Sequence, residues 1–181
     1  MNKFITLFIV FTIVAATTTF TTINAADYTT PKSKVVSIDP IDLINGRINA
    51  TFENKMSATN SFTINASYWS FNKYLSAGGV GASYRWYIDP FEEGKKSLNG
   101  LSVGPRLDFF YWTYDWSEWH MDNYSYTTLA IGGEVNYKWA FGDGGKWIIE
   151  PSIKIAFPIL KEKGYDHYTN YGFGVNIGYA F

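Results

Sequence analysis

The chain closes on a run in which Tyr171, Phe173, Val175, Ile177, Tyr179 and Phe181 alternate with Gly172, Gly174, Asn176, Gly178 and Ala180. A β-strand turns successive side chains to opposite faces, so a period of two puts the bulky apolar groups on one side and the small or polar groups on the other. A helix would scatter both sets around its axis. A strand of this kind must satisfy two unlike faces, which restricts the chain to sheets whose two sides meet different media.

The same period recurs upstream. In Leu43–Asn54, Ile44, Ile48, Ala50 and Phe52 oppose Asn45, Arg47, Asn49, Thr51 and Glu53. In Ser61–Ser70, Phe62, Ile64, Ala66 and Tyr68 oppose Ser61, Thr63, Asn65 and Ser67. In Gly79–Ile88, Val80, Ala82, Tyr84, Trp86 and Ile88 oppose Gly81, Ser83, Arg85 and Tyr87. Gly100–Trp112 sets Leu101, Val103, Leu107, Phe109 and Tyr111 against Ser102, Gly104, Arg106 and Asp108. Thr127–Trp139 sets Leu129, Ile131, Val135, Tyr137 and Trp139 against Ala130, Gly132, Glu134, Asn136 and Lys138. Trp147–Ile159 sets Ile149, Ile153, Ile155, Phe157 and Ile159 against Ile148, Glu150, Ser152, Lys154 and Ala156. With the terminal run these are seven strands. Lys34–Asp39 supplies an eighth, short one, with Pro40 ending it or sitting at a bulge. Gly142-Asp-Gly-Gly145 reads as a tight turn, and nothing between the strands reads as helical.

Residues 1–26 read as a leader outside the fold. Lys3 precedes an apolar run from Phe4 to Ala16, and Ile23-Asn-Ala-Ala26 offers small residues for cleavage after Ala25 or Ala26. The run is about 13 residues, short of the roughly 20 that span a bilayer as a helix. No cysteine is present, which suits an exported bacterial domain better than a small eukaryotic secreted one. Residues 27–181 then form one domain. The formal net charge of −1, without a basic face, argues against a nucleic-acid partner.

Alternation alone fits a soluble barrel, with apolar groups inside, or a membrane barrel, with apolar groups outside. Aromatic residues make up 19% of the chain and charged residues only 17%, against about 25% charged in an ordinary soluble domain. The interior of an eight-stranded barrel is too narrow for Trp86, Phe109, Tyr137, Phe157 and Phe173 together. The opposite face, rich in Gly, Ser, Ala and Asn, suits a tight interior. Tyr68, Trp86, Tyr111, Trp112, Trp139 and Trp147 gather near strand ends, where aromatic girdles meet lipid headgroups. The expectation is therefore an all-β, closed, antiparallel up-and-down transmembrane barrel of eight strands.

Arg47, Glu53, Arg85, Arg106, Asp108, Glu134, Lys138, Glu150 and Lys154 fall on the small-residue face. In hydrocarbon each would cost a few kcal/mol; inside a barrel they can pair, with Arg85 and Arg106 expected to meet Glu134 or Glu150 across the lumen. Such a network reads either as a plug of ion pairs or as a path for ions or protons.

The leader, the alternating strands and the ending Gly-Phe-Gly-Val-Asn-Ile-Gly-Tyr-Ala-Phe181 resemble the small eight-stranded outer-membrane barrels of Gram-negative bacteria. Asp42-Leu-Ile-Asn-Gly-Arg-Ile-Asn-Ala-Thr-Phe-Glu53 and Ala82-Ser-Tyr-Arg-Trp-Tyr87 are similar to uncharacterised OmpX-like proteins of Bacteroidetes. The resemblance implies residence in the outer membrane beside lipopolysaccharide, a monomeric state, and a C-terminal recognition signal for the barrel assembly machinery at Phe173, Val175, Ile177, Tyr179 and Phe181. The short first strand departs from the pattern.

Sites for chemistry are sparse. His120 and His167, the two histidines, lack metal-ligand spacing, and the glycines form no phosphate cradle. No metal or cofactor is expected. Asp115, Glu118 and Asp122 offer at most weak divalent-cation binding. Ser117, His120 and Asp122 bring the residue types of acyl transfer to one loop. The expected role is structural or surface-interactive, through loops near 72–78, 114–123 and 161–168 that offer rings to an unknown ligand. The alternatives are a narrow channel or transporter for small solutes, a lipid-modifying enzyme, and a soluble periplasmic binder of an apolar ligand.

Overall fold

The computed structural model describes residues 32–72, 74–88, 98–115, 124–160 and 170–181. The leader, Ser117, Glu118, His120, Asp122 and His167 lie outside the described residues.

Eight antiparallel strands close into one barrel in sequence order. They are β1 (Lys34–Ile38), β2 (Arg47–Lys55), β3 (Asn60–Asn72), β4 (Leu75–Ile88), β5 (Gly100–Tyr114), β6 (Tyr124–Phe141), β7 (Trp147–Leu160) and β8 (Asn170–Ala180). The ring closes where Val35 pairs with Ala180 and Ile38 with Ile177. At the level of β1 the ring has no edge and the strands bond to one another all the way round; above Ile38 neither β2 nor β8 has a strand partner on that side.

Between β1 and β2 the chain forms a one-turn helix, α1 (Pro40–Ile44), where the sequence suggested the start of a strand at Leu43. The cause is local. The carboxylate of Asp39 accepts hydrogen bonds from the Ile41 and Asp42 N–H groups at 2.9 and 3.2 Å, and Pro40 occupies the first helical position, where a missing N–H costs nothing. The five-residue β1 therefore stops low, and α1 packs against β2 and β8 above it.

The segment near 72–78 differs as well: β3 runs on to Asn72 and β4 starts at Leu75. Ser76, Ala77 and Gly78 looked like a loop, but each pairs with a β3 residue. At the other end Gly142, Gly144 and Gly145 take φ of +73°, +62° and +62°, which only glycine adopts without strain. They turn β6 into β7.

The wall is apolar outside and polar inside. Phe109, Ile131, Ile155 and Phe173 are 43–49% exposed on the outer face, whereas Arg85, Glu134 and Lys138 are 2%, 2% and 1% exposed within. The apolar clusters of buried residues are small: Val35, Leu98, Ile148 and Ala180 near the termini, and Trp69, Ala77 and Phe110 toward the opposite end. Interior volume is filled chiefly by charged and amide side chains.

Candidate functional site

The lumen holds a lattice of ion pairs. Arg85 of β4 lies at its centre. Its Nε donates to Glu134 Oε1 at 2.6 Å, and its Nη1 to Glu53 Oε2 at 2.8 Å and Glu150 Oε2 at 3.2 Å. Four strands thus converge on one guanidinium, whose planar fork suits several carboxylates at once. On the termini side Lys138 pairs with Glu53 and, at 2.9 Å, with Glu150. Tyr87 donates to Glu53 at 2.6 Å and accepts from Lys138 at 3.0 Å. Asn176 donates to Glu150 at 3.1 Å.

On the far side, toward the β5, β6 and β7 ends at Tyr114, Tyr124 and Leu160, Arg106 grips Asp108 through two contacts of 2.6 Å. It reaches Glu134 at 3.1 Å and Asn65 at 2.9 Å. Glycine makes the room: a Cβ on Gly81 would sit 2.1 Å from Asp108 Oδ1. Glu134 joins the two arginines, so Lys138, Glu53, Arg85, Glu134, Arg106 and Asp108 form one chain of contacts along the lumen.

Two of the charged residues singled out from the sequence stand apart. Arg47 pairs with Asp42 of α1 at 3.4 Å and lies over the Trp69 ring, 4.3 Å from its centroid. Lys154 takes part in none of the ion pairs between described residues.

Beyond Arg106 the inner face becomes aromatic. Arg47, Trp69, Ala77, Trp112 and Tyr126 are successive Cα partners across β2 to β6. Trp69 stacks on Trp112 at 5.5 Å and Trp112 on Tyr126 at 6.0 Å; the small Ala77 between the tryptophans lets them meet. Phe110 packs one tier below, 5.0 Å from Trp69. Trp112 therefore belongs to this inner row and not to an outer girdle. Its parity is that of Arg106 and Asp108, and that parity was the available signal. Tyr68, Trp86, Tyr111 and Trp147 lie on the outer face, 46–51% exposed, and Trp139 packs there against Tyr137 at 4.7 Å. Phe173, Ile177, Tyr179 and Phe181 are 41–53% exposed, but Val175 is buried at 6%, on the stretch of β8 above its pairing with β1.

Between the aromatic row and the lattice lies a partly open chamber of about 60 Å³, lined by Asp39, Asp42, Arg47, Asn49, Ser67, Trp69, Arg106, Asp108, Phe110 and Lys154 among others. Asn49 Oδ1, Ser67 Oγ and Trp69 Nε1 are buried without a hydrogen-bond partner. Ser102 Oγ, Asn176 Oδ1 and both polar atoms of the Asn136 amide share that condition on the termini side, outside the chamber lining. Among the described residues no group of three His, Cys, Asp or Glu side chains is placed to hold a metal, and no helix is long and apolar enough to cross a membrane.

No protein-family model matches the chain, and no curated protein matches it. Among solved structures it is similar to the N-terminal β-barrel domain of Pseudomonas aeruginosa OprF, with a TM-score of 0.50 and 9% identity over 83% of this chain and 97% of that one. At that identity the likeness is one of fold: a small closed β-barrel.

Proposed function

We propose that residues 27–181 form an integral β-barrel of the bacterial outer membrane, delivered by a cleaved leader at 1–26 and closed at its centre by ion pairs. The observation that carries this reading is the inverted wall, with bulky apolar side chains turned out and charges enclosed. In water that arrangement would expose a continuous apolar belt, far beyond the patches soluble monomers carry. In a bilayer the belt meets acyl chains, and the closed sheet satisfies its own backbone.

The dimensions agree. On β5, Tyr111 lies in the row of Tyr68, and Leu101, ten residues away, pairs with Tyr137. That span is roughly 33 Å of strand, or about 25 Å across the membrane at a tilt near 40°, the height of an outer-membrane apolar band. Tyr68 and Tyr111 then form one girdle, and Trp86, Trp139, Trp147 and Tyr179 the other. Lipopolysaccharide is the expected neighbour outside. Phe173, Ile177, Tyr179 and Phe181 are the side chains offered to the assembly machinery, and Val175 is less available to it.

The lattice favours a structural or surface-interactive role over conduction. Arg85 is held by three carboxylates across the lumen, and an ion passing it would have to break contacts that have little access to water. The test has two arms. The full chain refolded into phospholipid vesicles is expected to shift its gel migration on boiling and to leave planar bilayers electrically silent. A monomer freely soluble without detergent defeats the membrane reading; stepwise single-channel currents defeat the closed lumen and favour the channel.

A further inference from the structure

The wall is not paired strand to strand along its whole height. β1 ends at Ile38, where it pairs with Ala50 and Ile177, and above that level α1 packs against β2 and β8. Phe181 and Lys34 exchange both backbone hydrogen bonds, so the odd-numbered residues of β8 turn their N–H and C=O groups toward β1. Past Ile177 the same edge of Val175, Phe173 and Tyr171 meets no strand and makes no backbone bond to α1 among the described residues. The gap between β2 and β8 is a lateral seam. Its outer lips are apolar: Tyr171 and Phe173 on β8, Ile48 on β2, and Leu43 and Ile44 on α1, all exposed. Ile48 is the Cα partner of Tyr68, which puts the seam at the far girdle, where headgroups meet acyl chains.

Behind the seam lies the chamber. Its lining takes in Phe173 of the outer face together with Gly172, Gly174, Arg106 and Lys154 of the lumen, so it reaches through the wall. Most charges around it are engaged: Arg47 with Asp42, Arg106 with Asp108, and Asp39 with the first N–H groups of α1. Lys154 is the exception. It is partly buried and joins no ion pair between described residues. Its ammonium is not one of the partnerless polar atoms sealed from contact, so it keeps access to the open space. Lys154 is the Cα partner of Gly172, and a Cβ on Gly172 would meet nothing within 4 Å. The room beside this lysine therefore lies on the strand that borders the seam. An unpaired cation inside, an unpaired wall and an apolar rim outside match an anionic amphiphile. We propose that the seam binds a single-chain fatty acid, its carboxylate on Lys154 in the chamber and its tail passing between β2 and β8 over Phe173 into the bilayer. The chamber of about 60 Å³ admits roughly four water-sized groups, the size of a carboxylate with its first methylene and too little for a phospholipid headgroup. The inference goes beyond the role proposed above and rests on its membrane reading.

The test uses the full chain refolded into phosphocholine vesicles. The boiling-dependent gel shift is checked on the same sample, so that loss of the membrane barrel is read separately from loss of the site. Laurate labelled with carbon-13 at its carboxyl is titrated, and its carboxyl resonance is compared with that in protein-free vesicles. A separate, saturable signal of one laurate per barrel is expected. Lys154→Met removes the cation and is expected to weaken binding at least about tenfold, the worth of a hydrogen bond to a charged group. Gly172→Leu fills the room while keeping the lysine, and is expected to weaken binding as much. Trp86→Phe on the outer face is expected to leave it unchanged. Absence of a saturable signal, or binding indifferent to either Lys154→Met or Gly172→Leu, would overturn the proposal. So would labelled acetate giving the same signal at the same concentration, in favour of a free-anion site, or dodecanol and dodecylamine displacing laurate as well as unlabelled laurate does. A cross-linked dimer without a laurate signal would give the seam to a second copy of the chain.

Discussion

The centre of the lumen and the chamber beyond it use the same residue types to opposite ends. At the centre, Arg85 and Lys138 each meet two or more carboxylates, and the strands are tied across the barrel. Around the chamber, Lys154 joins no ion pair between described residues, and Asn49 Oδ1, Ser67 Oγ and Trp69 Nε1 are buried without a hydrogen-bond partner. Backbone and side chains both contribute to the contrast. At the centre four strands aim long charged groups at one level. Around the chamber β1 has already ended, the α1 segment stands in its place, and Ser67, Ala156 and Gly172 supply only small side chains. Buried ion pairs are modest contributors to net stability. Their clearer effect here is to fix which strands face each other.

That contrast can be broken most directly at Lys138. Lys138→Met leaves Glu53 and Glu150 without their shared ammonium and is expected to cost about 3–5 kcal/mol, the usual cost of stranding a buried charge, read as a lower urea midpoint in vesicles. An equal midpoint would mean that water reaches the lattice freely. Ile131→Arg tests the wall from its other side. A guanidinium on the outer face near mid-strand should cost about 2–4 kcal/mol in a bilayer, and no loss there would remove the lipid from the account.

Smaller effects sharpen the boundary between the regions. Asp39→Ala deletes the cap of α1 and should cost about 1 kcal/mol; far-ultraviolet dichroism would barely change while the unfolding midpoint falls. Lys154→Met should lower the midpoint by less than Lys138→Met does, because no ion pair between described residues holds Lys154. A loss as large as that of Lys138→Met would place Lys154 in the lattice and undo the distinction.

Much of the barrel is legible from alternation. The register of β5 and β6, from Gly100 opposite Lys138 to Tyr114 opposite Tyr124, keeps every small-face residue inside, because a slip of one residue would turn Leu107 and Ile131 inward. Where bulky residues occupy both parities, alternation loses its power. The run Phe109-Phe110-Tyr111-Trp112 puts rings on both faces, and Trp112 stacks inside with Trp69 while Tyr111 faces out. The helix at Pro40 went unseen because Ile44 has the parity of Ile48 and Phe52, and only the Asp39–Pro40 pair marks the break. The chamber could not be read at all. Its lining includes the small residues Ser67, Ala156 and Gly172, the last with nothing within 4 Å of where a Cβ would stand, together with α1 lying beside a strand that stops early.

The local alternation of side chains decided that this chain makes two-faced strands, how many, and which residues share a face, since a strand sets side-chain direction one residue at a time. Closure of the ring decided the rest: that Glu53, Arg85, Glu134 and Glu150, scattered over nearly a hundred positions, meet at one point, and that Asn49, Ser67 and Trp69 line a common space. Those meetings depend on register and curvature summed around eight strands, quantities that no single segment contains.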